Sequence, residues 1–386
     1  MAEVHLVAGT RPEAVKLAPV HTAMTRSGRM RPVMVASGQH PVMVRQALAS
    51  FDLAPDEELK IDRVAGDQTE LMAKLSTELD ALWARRTPDA VLVQGDTATA
   101  LAAALVAFWC RIPVVHLEAG LRSHDMTAPF PEEANRRLVG VLSTVHLAPT
   151  GLARAHLLAE GVPDDRIQVV GNTVVDAIQS VAGRPFAEQR LVAVERRALG
   201  GDTRLVLVTV HRRESWGEPI AAVLRAVRRL VRLNPDIEVV LPAHPNPAVR
   251  AQVYQELAGC DRVLVTDPLD YPDMARVLRA ATLVLSDSGG IQEEAPTFGV
   301  PVLVLRDTTE RQEAVDAGCA LLVGTDEHKI LSTAHRLLGR PAVVARMTAQ
   351  RNPFGDGYAG ERTEQVVADL LGLAGSPLLM APDDAA

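Results

Sequence analysis

Lysine is almost missing from this chain. Lys16, Lys60, Lys74 and Lys329 are the only four, against a Lys+Arg total of 40. Aromatic residues make up 3%. With alanine and arginine abundant, this bias reads as coding composition rather than as a specialised surface. Positive charge is also in deficit: the formal net charge is −8, which excludes a general nucleic-acid binder, so any anion site has to come from local arrangement. The three cysteines, Cys110, Cys260 and Cys319, lack the spacing of a metal site or a disulfide framework. They are expected to be small buried apolar residues, as suits a reducing cytoplasm. No apolar run reaches the roughly 20 residues of a membrane span, so no membrane partner is expected. The opening "MAEVHLVAG" reads as a strand, not as a signal peptide.

What is present is apolar and periodic. The apolar fraction is 47% and the charged fraction 23%, as in globular proteins, and 386 residues exceed one ordinary core. Short β-branched runs alternate with longer Ala/Leu/Arg segments of helical period. Strands are expected in the first half at "VHLVAG", "RPVMVAS", "AVLVQG", "PVVHLEA", "VHLAP" and "IQVVG". In the second half they are expected at "RLVLVTV", "IEVVLPA", "RVLVTDP", "LVLSDS", "PVLVL" and "ALLVG". Continuous apolar runs of this kind are buried on both faces, the mark of parallel sheets wrapped by helices.

The halves share a layout, each opening with a strand that ends in an arginine-bearing turn, "VAGTRPE" and "VTVHRRE". The expectation is an α/β chain of two doubly wound, Rossmann-like domains facing across a cleft, covering residues 1–175 and 190–372. The final helix is free to pack back on the first domain, and residues 373–386 form a tail. In open α/β sheets, chemistry gathers beyond the carboxyl ends of the strands.

Several turns at such ends carry ionisable groups. "GTRPEAVKLAP" offers a helix start with Arg11 and Lys16, suited to a phosphate, or else a capped helix with a solvated arginine. "QGDTATA" puts Asp96 at a strand end, where Asp also serves well as an N-cap. "HLEAGLRS" and "PFPEEANRR" supply Glu118, Glu132 and Glu133; the last two also suit a helix start after Pro131. Glu118 emerges from a buried run and has no such explanation.

In "VTVHRRES", His211 beside arginines could hold a diphosphate and protonate it as it leaves, or be a packed strand-end histidine. "SDSGGIQEEAP" places Ser288, Gly289 and Gly290 between strand and helix. Backbone N–H groups there can approach a phosphate, with Glu294 one turn on for ribose hydroxyls. "RDTTERQEA" contributes Arg311, and "PAHPNP" His244. No G-x-G-x-x-G dinucleotide fingerprint and no convincing metal-ligand cluster is visible, so neither cofactor nor metal is expected.

Taken in order, these motifs, together with "GQH", "GNTVVDA" and "NPFGDG", closely resemble the non-hydrolysing UDP-N-acetylglucosamine 2-epimerases from about Val4 to Leu371. The resemblance implies the glycosyltransferase-B fold. It implies a catalytic set of Asp96, Glu118, Glu132 and His211. Around UDP it implies Arg11, Lys16, His211, Ser288, Gly289, Gly290 and Glu294, with Arg311 within reach of phosphate or sugar. It implies a homodimer acting on UDP-N-acetylglucosamine and UDP-N-acetylmannosamine. It also implies a second UDP-N-acetylglucosamine as activator, at positions matching Gln39, His40, Gln68, Arg212 and His244. Pro41, Asp67 and Gln312 depart from the residues common at those places.

The C2 hydrogen of an N-acetylhexosamine has no adjacent carbonyl, so inversion needs either oxidation at C3 or expulsion of the C1 substituent. Expulsion needs a cradle for UDP, a base on one face of C2 and an acid on the other. A hydrolysing 2-epimerase, a glycosyltransferase and a catalytically silent sugar-nucleotide sensor are the competing readings.

Overall fold

The computed structural model describes residues 1–212, 216–349 and 352–373. The chain divides into two compact units, one made of Met1–Ala177 with the segment from Phe354 onward, the other of Ile178–Pro353. Among the described residues, no helix is long and apolar enough to cross a membrane.

In the first unit, strands β1 (Ala2–Ala8), β2 (Met30–Ala36), β3 (Glu57–Glu58), β4 (Ala90–Gln94), β5 (Val114–Leu117), β6 (Val145–Ala148) and β7 (Ile167–Val169) form one sheet. Its order is β3-β2-β1-β4-β5-β6-β7, and every pairing is parallel. Val7 of the central strand lies opposite Val35 on one side and Val93 on the other, and all three are inaccessible to solvent. Each such side chain contributes about 1.5–3 kcal/mol by leaving water. The second unit repeats the plan with β8 (Arg204–Thr209), β9 (Ile237–Pro242), β10 (Val263–Thr266), β11 (Ala281–Ser286), β12 (Val302–Val304) and β13 (Ala320–Leu322). Their order is β10-β9-β8-β11-β12-β13, again parallel.

All twelve apolar runs read from the sequence fall on strands. The thirteenth described strand, β3, has two glutamates and no apolar signal, and it pairs only at the edge. The chain's end leaves the 190–372 span and groups with the first unit, the packing back that the sequence left open. Helix Ala359–Leu370 belongs with the first unit, where it packs on helix Arg11–Ser27. Specific long-range contacts hold it there. The Asp176 carboxylate accepts the Gly360 N–H at 2.7 Å, and a Cβ at Gly360 would lie 3.0 Å from the Pro19 carbonyl oxygen. Arg29 and Glu364 add an ion pair. The cysteines only partly meet expectation: Cys319 is buried, Cys260 is half-buried, and Cys110 is exposed at the end of helix Ala98–Trp109.

Candidate functional site

In the first unit three neighbouring strands, β1, β4 and β5, deliver ionisable residues at their carboxyl ends. Helix Arg11–Ser27 begins directly after β1 and turns Lys16 inward, one helical turn along. The Lys16 ammonium lies 2.8 Å from each Glu118 carboxylate oxygen, and both side chains are about 10% exposed. Gln94, the last residue of β4, donates to the same carboxylate. Glu118 follows β5 with φ +63°, the left-handed region. A non-glycine residue there costs of order 1–3 kcal/mol, and such strain persists where the surroundings over-determine it. Here the lysine and the amide supply that determination.

Asp96 follows β4 but is not a helix cap. Thr97 caps helix Ala98–Trp109, accepting the Ala100 N–H at 3.1 Å. Asp96 instead pairs with Arg136, whose Nε lies 3.0 Å from Oδ2, and Asn135 donates to its main-chain carbonyl at 2.8 Å. The helix Glu132–Leu142 thus aims Asn135 and Arg136 back at the Asp96 turn.

Glu132 and Glu133 open that helix yet differ completely. Glu133 has no solvent exposure and accepts from Ser123 N–H (2.9 Å), Arg136 (3.2 Å) and Arg137 (3.0 Å). Burial pushes its carboxyl upward, but those donors and charges hold it below the usual range. The carboxylate of Glu132 makes no hydrogen bond or ion pair to a described residue. Nor does the Arg11 guanidinium. Arg122 makes two 2.7 Å hydrogen bonds to Glu160 and so anchors its loop.

Glu13, quoted in a motif but not singled out by sequence reasoning, is wholly buried. Burial pushes its carboxyl up to about 7, against hydrogen bonds from Thr97, Gly9 and Thr10 that favour the anion.

In the second unit the centre is Asp287, which sequence reasoning also passed over. It follows β11, is inaccessible to solvent, and lies 3.1 Å from His211 Nδ1. Its oxygens also accept the N–H groups of His211 (3.1 Å) and Arg212 (3.0 Å). Burial raises its carboxyl, but the His211 hydrogen bond and charge outweigh that and hold it low. His211, after β8, is thereby held by one ring nitrogen while its side chain stays 49% exposed. The Arg212 side chain turns back to the Asp287 carbonyl at 2.9 Å. Arg213 of the same motif lies outside the described residues.

Ser288 precedes a helix of only six residues, Gly289–Glu294. Neither Gly289 nor Gly290 has positive φ. A Cβ at Gly289 would make ordinary 3.4 Å contact with the Arg311 guanidinium, and one at Gly290 would be 3.9 Å from Ser288 Oγ. Internal packing therefore does not require either glycine. Arg311 donates to buried Glu293 at 2.8 Å, and Glu294 is 8% exposed. Burial pushes the neighbouring Glu310 carboxyl up, but two hydrogen bonds from Arg306, at 2.9 and 3.2 Å, hold it down at about 2.

The positions matched to a second ligand have local duties. Gln39 accepts from Thr99 Oγ1 at 2.8 Å. His40 is exposed ahead of helix Pro41–Ala49, where Pro41 suits the first position. Asp67 caps helix Gln68–Arg85 through the Glu70 N–H, leaving Gln68 exposed in its first turn. His244 Nδ1 accepts the Asn246 N–H at 3.1 Å, which assigns the ring proton of the neutral form to Nε2. Among the described residues, no group of three or more His, Cys, Asp or Glu side chains could hold a metal.

Two Rossmann-like units, each built on a parallel sheet, one carrying carboxylates at its strand ends and the other an imidazole, arginines and a Ser-Gly-Gly turn, define a chain of the glycosyltransferase-B-like class. A family profile described as UDP-N-acetylglucosamine 2-epimerase matches residues 22–368, and the chain belongs to that family. A UDP-N-acetylglucosamine 2-epimerase of Yersinia pestis is 44% identical over 363 residues, covering 93% of this chain and 96% of its own. A crystal structure of a Listeria monocytogenes protein described as a UDP-N-acetylglucosamine 2-epimerase superposes with TM-score 0.89 at 38% identity, over 98% of this chain and 99% of that one. The Neisseria meningitidis 2-epimerase bound to UDP-N-acetylglucosamine superposes with TM-score 0.85 at 38% identity, over 96% of this chain and 100% of that one.

Proposed function

We propose that this protein interconverts UDP-N-acetylglucosamine and UDP-N-acetylmannosamine, returning UDP to the sugar rather than releasing it to water. The observation that carries the reading is Glu118, a carboxylate forced into left-handed backbone at a strand end and clasped by Lys16 and Gln94.

In this mechanism the C1–O bond breaks with its electron pair leaving on UDP. A carboxylate takes the C2 proton, and the alkene 2-acetamidoglucal forms between C1 and C2. UDP oxygen then re-adds at C1 while C2 receives a proton on the opposite face. Atoms and electrons balance without a redox step. Asp96, Glu118 and Glu132 are the carboxylates that serve the two faces, and their surroundings differ, as distinct acid and base roles require. His211, fixed by Asp287, donates to the departing diphosphate in the manner of a carboxylate-oriented imidazole. Arg11 lacks a described partner, so its charge is available to a phosphate. Gly289 and Gly290, unexplained by packing, fit close approach of a diphosphate oxygen to the main chain, with Ser288 and Arg311 beside them. Glu294 serves the ribose.

The same reading makes the protein a cytoplasmic homodimer. A second UDP-N-acetylglucosamine acts as its activator through Gln39, His40, Gln68, Arg212 and His244, giving a sigmoidal rate against substrate concentration.

Incubation with UDP-N-acetylglucosamine in heavy water, followed by NMR, tests the reaction. Deuterium at C2, UDP-N-acetylmannosamine and little free UDP are expected. Accumulating UDP with free N-acetylmannosamine would indicate the hydrolysing reaction, and a C2 that stays protonated a sensor or a transferase.

A further inference from the structure

Glu13 touches neither Asp96 nor Glu118, yet it joins the turns that carry the reacting groups. One carboxylate oxygen accepts the Gly9 N–H at 2.9 Å, the Thr10 N–H at 2.7 Å and the Thr10 hydroxyl at 2.8 Å. These belong to the turn after β1, from which Arg11 and Lys16 project. The other oxygen accepts the Thr97 hydroxyl at 2.5 Å. Thr97 is the residue after Asp96, and its hydroxyl also caps helix Ala98–Trp109. A single buried side chain therefore spans two strand ends and fixes the distance between them.

The surroundings leave no slack. A Cβ on Gly9 would come within 2.0 Å of Thr99 Oγ1 and 2.7 Å of Ser37 Oγ, so the β1 turn is wedged against the end of β2 and the first turn of helix Ala98–Trp109. Ser37 Oγ and Thr99 Oγ1 are themselves 2.8 Å apart. An ordinary capping box would need only the Thr10 half of this arrangement. The Thr97 half lies 84 residues further along the chain and adds nothing to the helix that Glu13 starts. Four donors on one buried side chain, from two different turns, is more than helix capping explains.

We infer that Glu13 is a positioning residue: it holds the Asp96 turn in register with the turn bearing Arg11 and Lys16, so that the carboxylates and the cations address one sugar at the required spacing. This rests on the epimerase reading above. A misplacement of about 1 Å can cost on the order of 100-fold in rate, which sets the scale of effect expected.

Thr97→Val breaks the link on the Asp96 side and leaves the Thr10 side intact; Thr97→Ser keeps the hydroxyl. Glu13→Ala removes both links, and Glu13→Gln retains one acceptor for the backbone N–H groups and an amide that can donate to Thr97. Steady-state kinetics and C2–deuterium exchange on folded protein, with unfolding temperatures in parallel, separate the possibilities. Thr97→Val is expected to lose about 10-fold in kcat with KM for UDP-N-acetylglucosamine changed less than about threefold, and Glu13→Ala about 100-fold in kcat. Thr97→Ser and Glu13→Gln are expected to recover most of the loss.

If Thr97→Val and Glu13→Ala lower the unfolding temperature while kcat per folded molecule stays at the wild-type value, Glu13 is only a structural cap and the inference fails. Failure of Glu13→Gln and Thr97→Ser to recover activity also overturns it. Absence of C2 exchange in the wild type would instead remove the epimerase reading itself.

Discussion

The carboxyl ends of the two sheets solve opposite problems with the same fold. In the first unit, negative groups are gathered and then held by cations: Glu118 by Lys16, Asp96 by Arg136, Glu133 by Arg136 and Arg137. The second also pairs Glu293 with Arg311 and Glu310 with Arg306, but its distinctive carboxylate, Asp287, is buried so that it holds a histidine and two backbone N–H groups in place. The first arrangement suits moving a proton at carbon; the second suits holding and protonating a departing diphosphate. The same strand order can serve different duties because the strands fix only where the turns lie. The side chains within the turns decide the charge presented.

Substitutions can test this contrast. The largest effect is expected at Glu118. Glu118→Gln keeps the shape but forfeits the acceptor that Lys16 and Gln94 surround. Loss of general acid–base action costs on the order of 10²–10⁴-fold, so C2 exchange and kcat should fall by that much. UDP affinity by calorimetry should stay within about threefold; unchanged turnover would remove Glu118 from the chemistry.

Asp287→Asn comes next. It removes the charge behind His211, and a fall in kcat of about 100-fold is expected, smaller than the roughly 10⁴-fold loss in a serine-protease triad, where the same change leaves the histidine in the wrong tautomer to act as base. Departure of UDP should suffer and, by microscopic reversibility, so should its return, so 2-acetamidoglucal supplied with UDP should take up UDP at C1 more slowly. If addition is unimpaired, the imidazole does not serve the diphosphate.

Arg11→Gln is expected to raise the dissociation constant for UDP about 10-fold, as for one lost charge-assisted contact, with folding unaffected because no described residue pairs with it. Equal affinity would place phosphate binding on the second unit's groups alone.

The smallest effect concerns stability. Burial raises Asp176 to about 7, and its Oδ2 finds no hydrogen-bond partner. A carboxyl whose folded pKa exceeds its unfolded value, near 4, binds its proton more tightly when folded. Its stabilisation is therefore present at low pH and lost as pH rises through 4 toward 7. Asp176→Asn should consequently gain unfolding temperature relative to the wild type between pH 4.5 and 7.5, by a few degrees in calorimetry. A pH-independent difference would show that Asp176 does not titrate in that window.

Much of this was legible in the order of residues. Apolar runs located twelve strands, because a strand buried on both faces must be apolar throughout. The charged turns after "VHLVAG", "VVHL" and "LVTV" could be picked out because parallel strands all end on one side. What was hidden is pairwise. Nothing in "QGDTATA" says that Thr97 rather than Asp96 caps the helix, or that Asp96 turns to Arg136, 40 residues on. Glu132 and Glu133 look interchangeable in a string; only packing buries one and spares the other. Gln94 and Asp287 escaped for the same reason: their partners are distant in sequence, and hydrogen bonds of that kind leave no periodicity; Glu13 has the local spacing of a capping box with Thr10, but its link to Thr97, 84 residues on, is equally invisible. The return of the final helix could be raised from the sequence only as an option, because the Asp176–Gly360 contact that fixes it spans 184 residues.

The most direct test follows the glycosidic oxygen. Take UDP-N-acetylglucosamine carrying an isotopic label in the bridge between C1 and the β-phosphate, and stop the reaction before equilibrium. If UDP leaves and returns, the label will scramble into the non-bridging positions of that phosphate at a rate matching C2 exchange. Epimerised product whose label has stayed in the bridge would contradict the account.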